Sequence, residues 1–153
     1  MPRLHIITDS LDPLCRLISD DPVRPEIPLE FRVSDSSEIF VLLDDSDQPA
    51  AAVCCAYRNL IPSTVVELAQ QPDILPHVAV FYTIWSYQSG AGRRLITAAR
   101  DWITNNRPTV SEFVTLSPTT DMARVFHLRN GAEIFRVNSD TVNYLYPSLQ
   151  ASD

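Results

Sequence analysis

The apolar positions of this chain change period several times, and each change marks an element. Leu4 to Thr8 is apolar or β-branched at nearly every position and predicts a strand. Leu11, Leu14, Cys15 and Ile18 then recur at helical spacing, with Ser10 or Asp12 as cap. Glu38 to Leu43 and Ala50 to Tyr57 predict two strands joined across the turn-forming run Asp44-Asp45-Ser46-Asp47-Gln48-Pro49. Pro22, Pro25 and Pro28 make the segment before them, residues 20–35, irregular. Thr64 and Glu67 stand at capping-box spacing and open a short helix that runs to Gln71.

His77 to Tyr87 is apolar or aromatic on both parities. Val78, Val80, Tyr82 and Ile84 fall on one, and Ala79, Phe81 and Trp85 on the other. A strand buried on both faces lies in the middle of a sheet with helices above and below. Gly92 to Asn106 follows as a helix with Leu95, Ala99, Trp102 and Ile103 in one stripe. Glu112 to Leu116 is another strand. Ser117-Pro118 reads as the N-cap and first position of a helix whose inward face is Met122, Val125 and Phe126, with Gly131 as its C-terminal cap. Ala132 to Val137 and Thr141 to Tyr146 are the closing strands. The alternation predicts an α/β (α+β) domain over residues 1–147, a mixed sheet with helices on both faces, and a polar tail over 148–153.

Composition narrows the function classes. The 153 residues suit one domain, and 45% hydrophobic content supports a real core. A net charge of -7 opposes binding to nucleic acid, whose affinity comes from Lys and Arg displacing counterions. Cys15, Cys54 and Cys55 have neither metal-ligand spacing nor disulfide geometry, so no metal is expected. Their apolar neighbours suggest buried thiols in a reducing compartment. No apolar run has the length of a signal peptide or a membrane span, so a cytoplasmic protein without a membrane partner is expected.

The chemistry gathers at one turn. Two of the three glycines lie in Ser89-Gly90-Ala91-Gly92, between the buried strand and its following helix. Glycine lets backbone approach a ligand, and the first helical amides, with no internal partner, suit a pyrophosphate. Arg93 and Arg94 follow and can add charge-assisted contacts. There is no third glycine for a Rossmann fingerprint and no Gly-Lys-Ser/Thr ending for a P-loop.

A central strand, a short G-x-G loop and an amphipathic helix resemble the acyl-CoA-binding motif of the GNAT superfamily. The usual Arg/Gln-x-x-Gly-x-Gly/Ala pattern places Tyr87 at its first position, with Gln88 one residue late. A second family pattern, Ala-x-x-hydrophobic-Tyr-x-x-x-Gly-Phe, resembles Ala123 to Ala132, with His127 at the tyrosine position and Ala132 at the terminal phenylalanine. The resemblance implies a mostly antiparallel sheet of six to seven strands and an acyl-CoA, most simply acetyl-CoA, as cosubstrate. It puts the thioester on the backbone of Tyr82, Thr83 and Ile84, and the pyrophosphate on Gln88, Ser89, Gly90, Ala91, Gly92, Arg93 and Arg94. His127 takes the place of the tyrosine that serves as acid toward the CoA thiolate.

The expected reaction is acyl transfer to a primary amine of a small molecule or peptide. Glu67, His77, Tyr82 and Ser86 are candidate bases, and Asp20, Glu26 and Glu30 candidate holders of a cationic amine. A non-catalytic acyl-CoA-binding or protein-interaction module is the alternative. Decarboxylation of malonyl-type thioesters, which some relatives perform with a histidine, ranks below both. A homodimer through the two terminal strands is possible.

Overall fold

The computed structural model describes residues 1–72 and 75–147, so the expected tail over 148–153 lies outside the described residues. β1 (Arg3–Ile7), β2 (Ser37–Leu43), β3 (Pro49–Arg58) and β4 (Val78–Ser86) form an antiparallel run, and β5 (Glu112–Thr115) then lies parallel to β4. β8 (Thr141–Tyr146) pairs antiparallel with β5, with the two-residue β6 (Ser117–Pro118), and with β7 (Glu133–Val137). The sheet is thus mixed and mostly antiparallel, with eight strands when the short β6 is counted.

Helix α3 (Ala91–Asn106) covers one face, packing Leu95, Ile96, Ala99 and Ile103 into a core with Phe40, Val53, Tyr57 and Phe81. The other face buries Ile39, Val41, Val80, Tyr82 and Trp85 beneath a 3-10 helix (Pro13–Asp20) and the short α1 (Leu29–Arg32) and α2 (Val65–Leu68). Consecutive residues of β3 alternate between these layers: Cys55 belongs to the first and Cys54 to the second.

Four local expectations change. The first helix is a 3-10 turn capped by Asp12, whose carboxylate accepts from the Leu14 amide, and Leu11 stays exposed outside it. Residues 20–35 contain the one-turn α1, closed over the buried side chain of Arg32. Ser117-Pro118 pairs with Thr141 and Val142 as β6, and helix α4 (Asp121–Arg129) starts later, with the Thr120 hydroxyl accepting from the Ala123 amide. The face of α4 that turns inward carries Phe126 and His127, while Met122 and Val125 are exposed. Gly131 does close that helix region with φ of 95°.

Parity along β4 also breaks. Cys54 pairs with Thr83 but Cys55 pairs with Phe81, so Tyr82 is an extra residue in a β-bulge. Beyond it Ile84 joins the Phe81 layer and Trp85 joins the Tyr82 layer, the reverse of unbroken alternation. At the other end of the sheet β7 is exposed throughout, with Ile134, Phe135 and Val137 open. A bulge between Ile134 and Arg136 twists this edge, a device that discourages strand pairing.

Candidate active site: the cleft where β4 and β5 part

β4 and β5 are paired only from Val78–Glu112 to Phe81–Thr115, with one further bond from the Leu116 amide to the Phe81 carbonyl. Beyond that point β4 runs on alone on this side. The Tyr87 amide bonds the Ala50 carbonyl across β3 at 2.8 Å. By the alternation of an antiparallel pair, Trp85 and Thr83 are therefore committed to β3, and the main-chain groups of Ile84 and Ser86 face the gap. The result is a cleft of about 330 Å³ between the free edge of β4, the start of α3, β6 and α4. Its residues run from Ser86 and Gly92 at the α3 end to Thr83, Ser117, Pro22 and Val23 at the other, with Ile84, Phe126 and His127 along its walls.

The N-terminal end of α3 leaves main-chain amides free. Gly90 has φ of 79° and caps α3 without a side-chain bond. Ala91 bonds back to the Gln88 carbonyl and Arg94 to that of Gly90, so Gly92 and Arg93 are the first-turn amides with no internal partner. Gln88, Ser89 and Gly90 are exposed beside them, and Gln88 donates to Asp44 Oδ2 at 2.7 Å. Arg93 and Arg94 are exposed and make no ion pair among the described residues. Gly92 has a different use: a Cβ there would meet the Phe126 ring at 3.0 Å, so its hydrogen seats α4 against α3.

Deeper in, His127 is 4% exposed, and burial lowers its pKa to about 4, leaving the ring neutral near pH 7. The ring stacks on Tyr144 at 5.1 Å, and its Nδ1 lies 2.7 Å from the Tyr146 hydroxyl. Burial holds the Tyr146 phenol protonated, and its hydroxyl shares a hydrogen bond with Nδ1. In the tautomer in which the phenol donates to Nδ1, Nε2 carries the imidazole proton and can donate; in the other tautomer Nε2 can accept. Arg100 lies over the Tyr146 ring at 4.9 Å and also over Phe113, bracing this pair from behind. Ser117, 5% exposed, lines the same cleft and donates to Thr115 Oγ1 at 2.8 Å.

Of the predicted thioester residues, Ile84 offers free main-chain groups. Thr83 gives its backbone to β3 and its hydroxyl to Asp21 Oδ1 at 2.8 Å. The Tyr82 carbonyl is taken by Arg24 Nε at 2.9 Å, and the same guanidinium bonds the Leu116 carbonyl at 2.8 Å. Arg24 thus bridges the two strands where they part. Sequence reading missed it, together with Ser117 and Tyr146, because their partners are distant in the chain. The other candidates are scattered. Glu67 caps α2 by accepting from the Ser63 amide, and with His77 it lines a separate groove near Asn59 to Pro62. The Tyr82 hydroxyl is buried beside the Cys54 thiol. Asp20 accepts from Tyr87, and Glu26 and Glu30 are exposed. Of the proposed bases, Tyr82 and Ser86 are among the residues that line the cleft.

The arrangement of sheet and helices as a whole recurs in solved structures. The fold is that of the GNAT acyltransferases. A GNAT-family acetyltransferase from Desulfovibrio desulfuricans superposes with a TM-score of 0.60 at 13% identity, over 97% of this chain and 99% of that one. Malonyl-CoA decarboxylase from Cupriavidus metallidurans gives 0.74 at 17% identity over 96% of this chain. Malonyl-CoA decarboxylase from Agrobacterium vitis gives 0.66 at 25% identity over 84%. The chain spans 61% of the Cupriavidus decarboxylase and 36% of the Agrobacterium one. No protein-family model matches it, and no protein of curated function does. Among the described residues no group of side chains is arranged to hold a metal ion, and no helix is long and apolar enough to cross a membrane.

Proposed function

We propose that this chain binds an acyl-CoA along the free edge of β4 and acts on the acyl group itself, decarboxylating a malonyl-type thioester. The pyrophosphate rests on the first turn of α3, and the pantetheine arm lies against Ile84 and Ser86 as a short added strand. The thioester then falls between His127 and Ser117.

One observation carries this reading. Among the described residues the cleft is lined by no Asp, Glu, Lys or Arg, and its one histidine is neutral, with a pKa of about 4. Acylating an amine requires removal of a proton from an ammonium of pKa about 10, and the described lining offers no carboxylate and only a weakly basic imidazole to take it. Decarboxylation needs no base. The bond to the carboxylate breaks, carbon dioxide leaves, and the electron pair moves into the thioester as an enolate. The proton on His127 Nε2 stabilises the enolate oxygen, and the carbon is protonated from water. The likeness to malonyl-CoA decarboxylases agrees with this chemistry. Three buried free thiols suit a reducing, cytoplasmic setting.

N-acetyl transfer from acetyl-CoA to a primary amine of a small molecule or peptide is the second reading. It is favoured by coverage: the chain matches GNAT acetyltransferases over nearly their whole length, and the decarboxylases over part of theirs.

Incubation with malonyl-CoA, following carbon dioxide and acetyl-CoA, separates the two. Product without added amine, reduced about tenfold or more in His127→Phe, is the expected result. Thiol release from acetyl-CoA that depends on an added amine would replace it with the second reading. Tight binding with neither product would leave a binding module.

A further inference from the structure

The end of the cleft away from α3 is lined by a segment that the sequence leaves irregular, and the side chains that anchor it are buried. Asp21 is 4% exposed, Arg24 9% and Arg32 0%. Asp21 Oδ1 accepts from the Val23 and Arg24 amides and from the Thr83 hydroxyl, while Oδ2 accepts from Arg32 Nη1 at 2.7 Å. Arg32 also bonds the Arg24 carbonyl through Nη2 at 2.7 Å. Arg24 in turn ties the carbonyls of Tyr82 and Leu116. Three charged side chains and one hydroxyl therefore fix a loop of four residues to the bulge of β4 and the end of β5. What the loop presents to the cleft is apolar: Pro22 and Val23 are among its lining residues.

The polarity of the cleft follows from its ends. With the pyrophosphate at the N-terminus of α3, the thioester lies toward Thr83 and Ser117, and any acyl chain extends toward Pro22 and Val23. We infer that the Asp21–Arg24 strap is the specificity element of the site, a fixed wall that admits short acyl groups and rejects long ones. This rests on the acyl-CoA reading above and deepens it. A hinged lid would show a loosely held loop. Here the loop is pinned by charges whose release would leave a buried guanidinium unpaired, so the wall does not swing aside for a longer chain.

Calorimetric titration of the full chain with CoA, malonyl-CoA, acetyl-CoA and decanoyl-CoA tests it, with CoA as the reference ligand in every variant. The wild type is expected to bind the two short thioesters, and to bind decanoyl-CoA at least tenfold more weakly than acetyl-CoA. Replacing Val23 by Gly and Pro22 by Ala together should shrink that ratio at least fivefold, because the wall is thinned while its charged anchor stays. Decanoyl-CoA binding as tightly as acetyl-CoA in the wild type would overturn the inference, as would an unchanged ratio in the double variant. Failure of CoA itself to bind would overturn the acyl-CoA reading, and the strap's role with it.

Discussion

His127 owes its behaviour to what surrounds it rather than to any charged neighbour. Burial alone depresses its pKa to about 4. A histidine whose folded pKa lies below its unfolded value contributes stability that is present above the unfolded pKa near 6.5 and lost as pH falls toward 4. The full loss corresponds to about 3 kcal/mol, set by a gap of roughly 2.5 pKa units. Urea midpoints at pH 7 and pH 4.5 should therefore fall more for the wild type than for His127→Gln, which has no proton to take up. Equal falls would mean that the imidazole is already solvated in the folded state. The carboxylates of Asp12, Asp21, Asp44 and Glu67, each held low by hydrogen bonds, add acid sensitivity to both proteins alike. The comparison cancels them.

At the scale of elements, the two glycines of the turn before α3 separate into two mechanisms. Gly90 sits at φ of 79° with open space where a Cβ would lie, whereas Gly92 faces the Phe126 ring. Gly90→Ala should cost roughly 1–2 kcal/mol of stability from backbone strain alone and retain CoA. Gly90→Asp adds a negative charge beside the anion site and should lose CoA binding, measurable by calorimetry on the same pair of variants. Retained affinity in the Asp variant would place the cofactor elsewhere. This turn was legible in the sequence because glycine and a helix start are local signals. The bulge at Tyr82 was not. A run apolar on both parities looks the same with or without an inserted residue, and only pairing with Cys54 and Cys55 shows the slip. Ser117-Pro118 misled for a related reason, since a helix-capping pair and a short edge strand share their extended backbone. His127 was found through its place in a family pattern, but its tautomer depends on Tyr146, nineteen residues away.

Across the whole molecule the alternation of elements anticipated a mixed sheet with helices on both faces, but the fastening of the N-terminal third could not be anticipated. Arg24 and Arg32 sit in a stretch that reads as solvated loop, and they are buried because Asp21 and four main-chain carbonyls receive them. Burial opposes ionisation of Asp21, and the bonds from Arg24, Arg32, Val23 and Thr83 outweigh it, so its carboxylate titrates below its ordinary range. Asp21→Ala would strand the Arg32 charge in the interior at a cost of about 3–5 kcal/mol, read as a lowered denaturation midpoint. A change under 1 kcal/mol would show that water reaches Arg32.

Cys54 and Cys55 are neighbours in the chain yet lie in opposite layers of the molecule, one under α1 and the 3-10 helix and the other under α3. Each thiol is fully buried. A thiol-modifying reagent therefore reports on a different half of the interior at each position. In single-cysteine variants, the two labelling rates time the opening of one face against the other, so the chain carries a built-in pair of clocks for whether its layers come apart together.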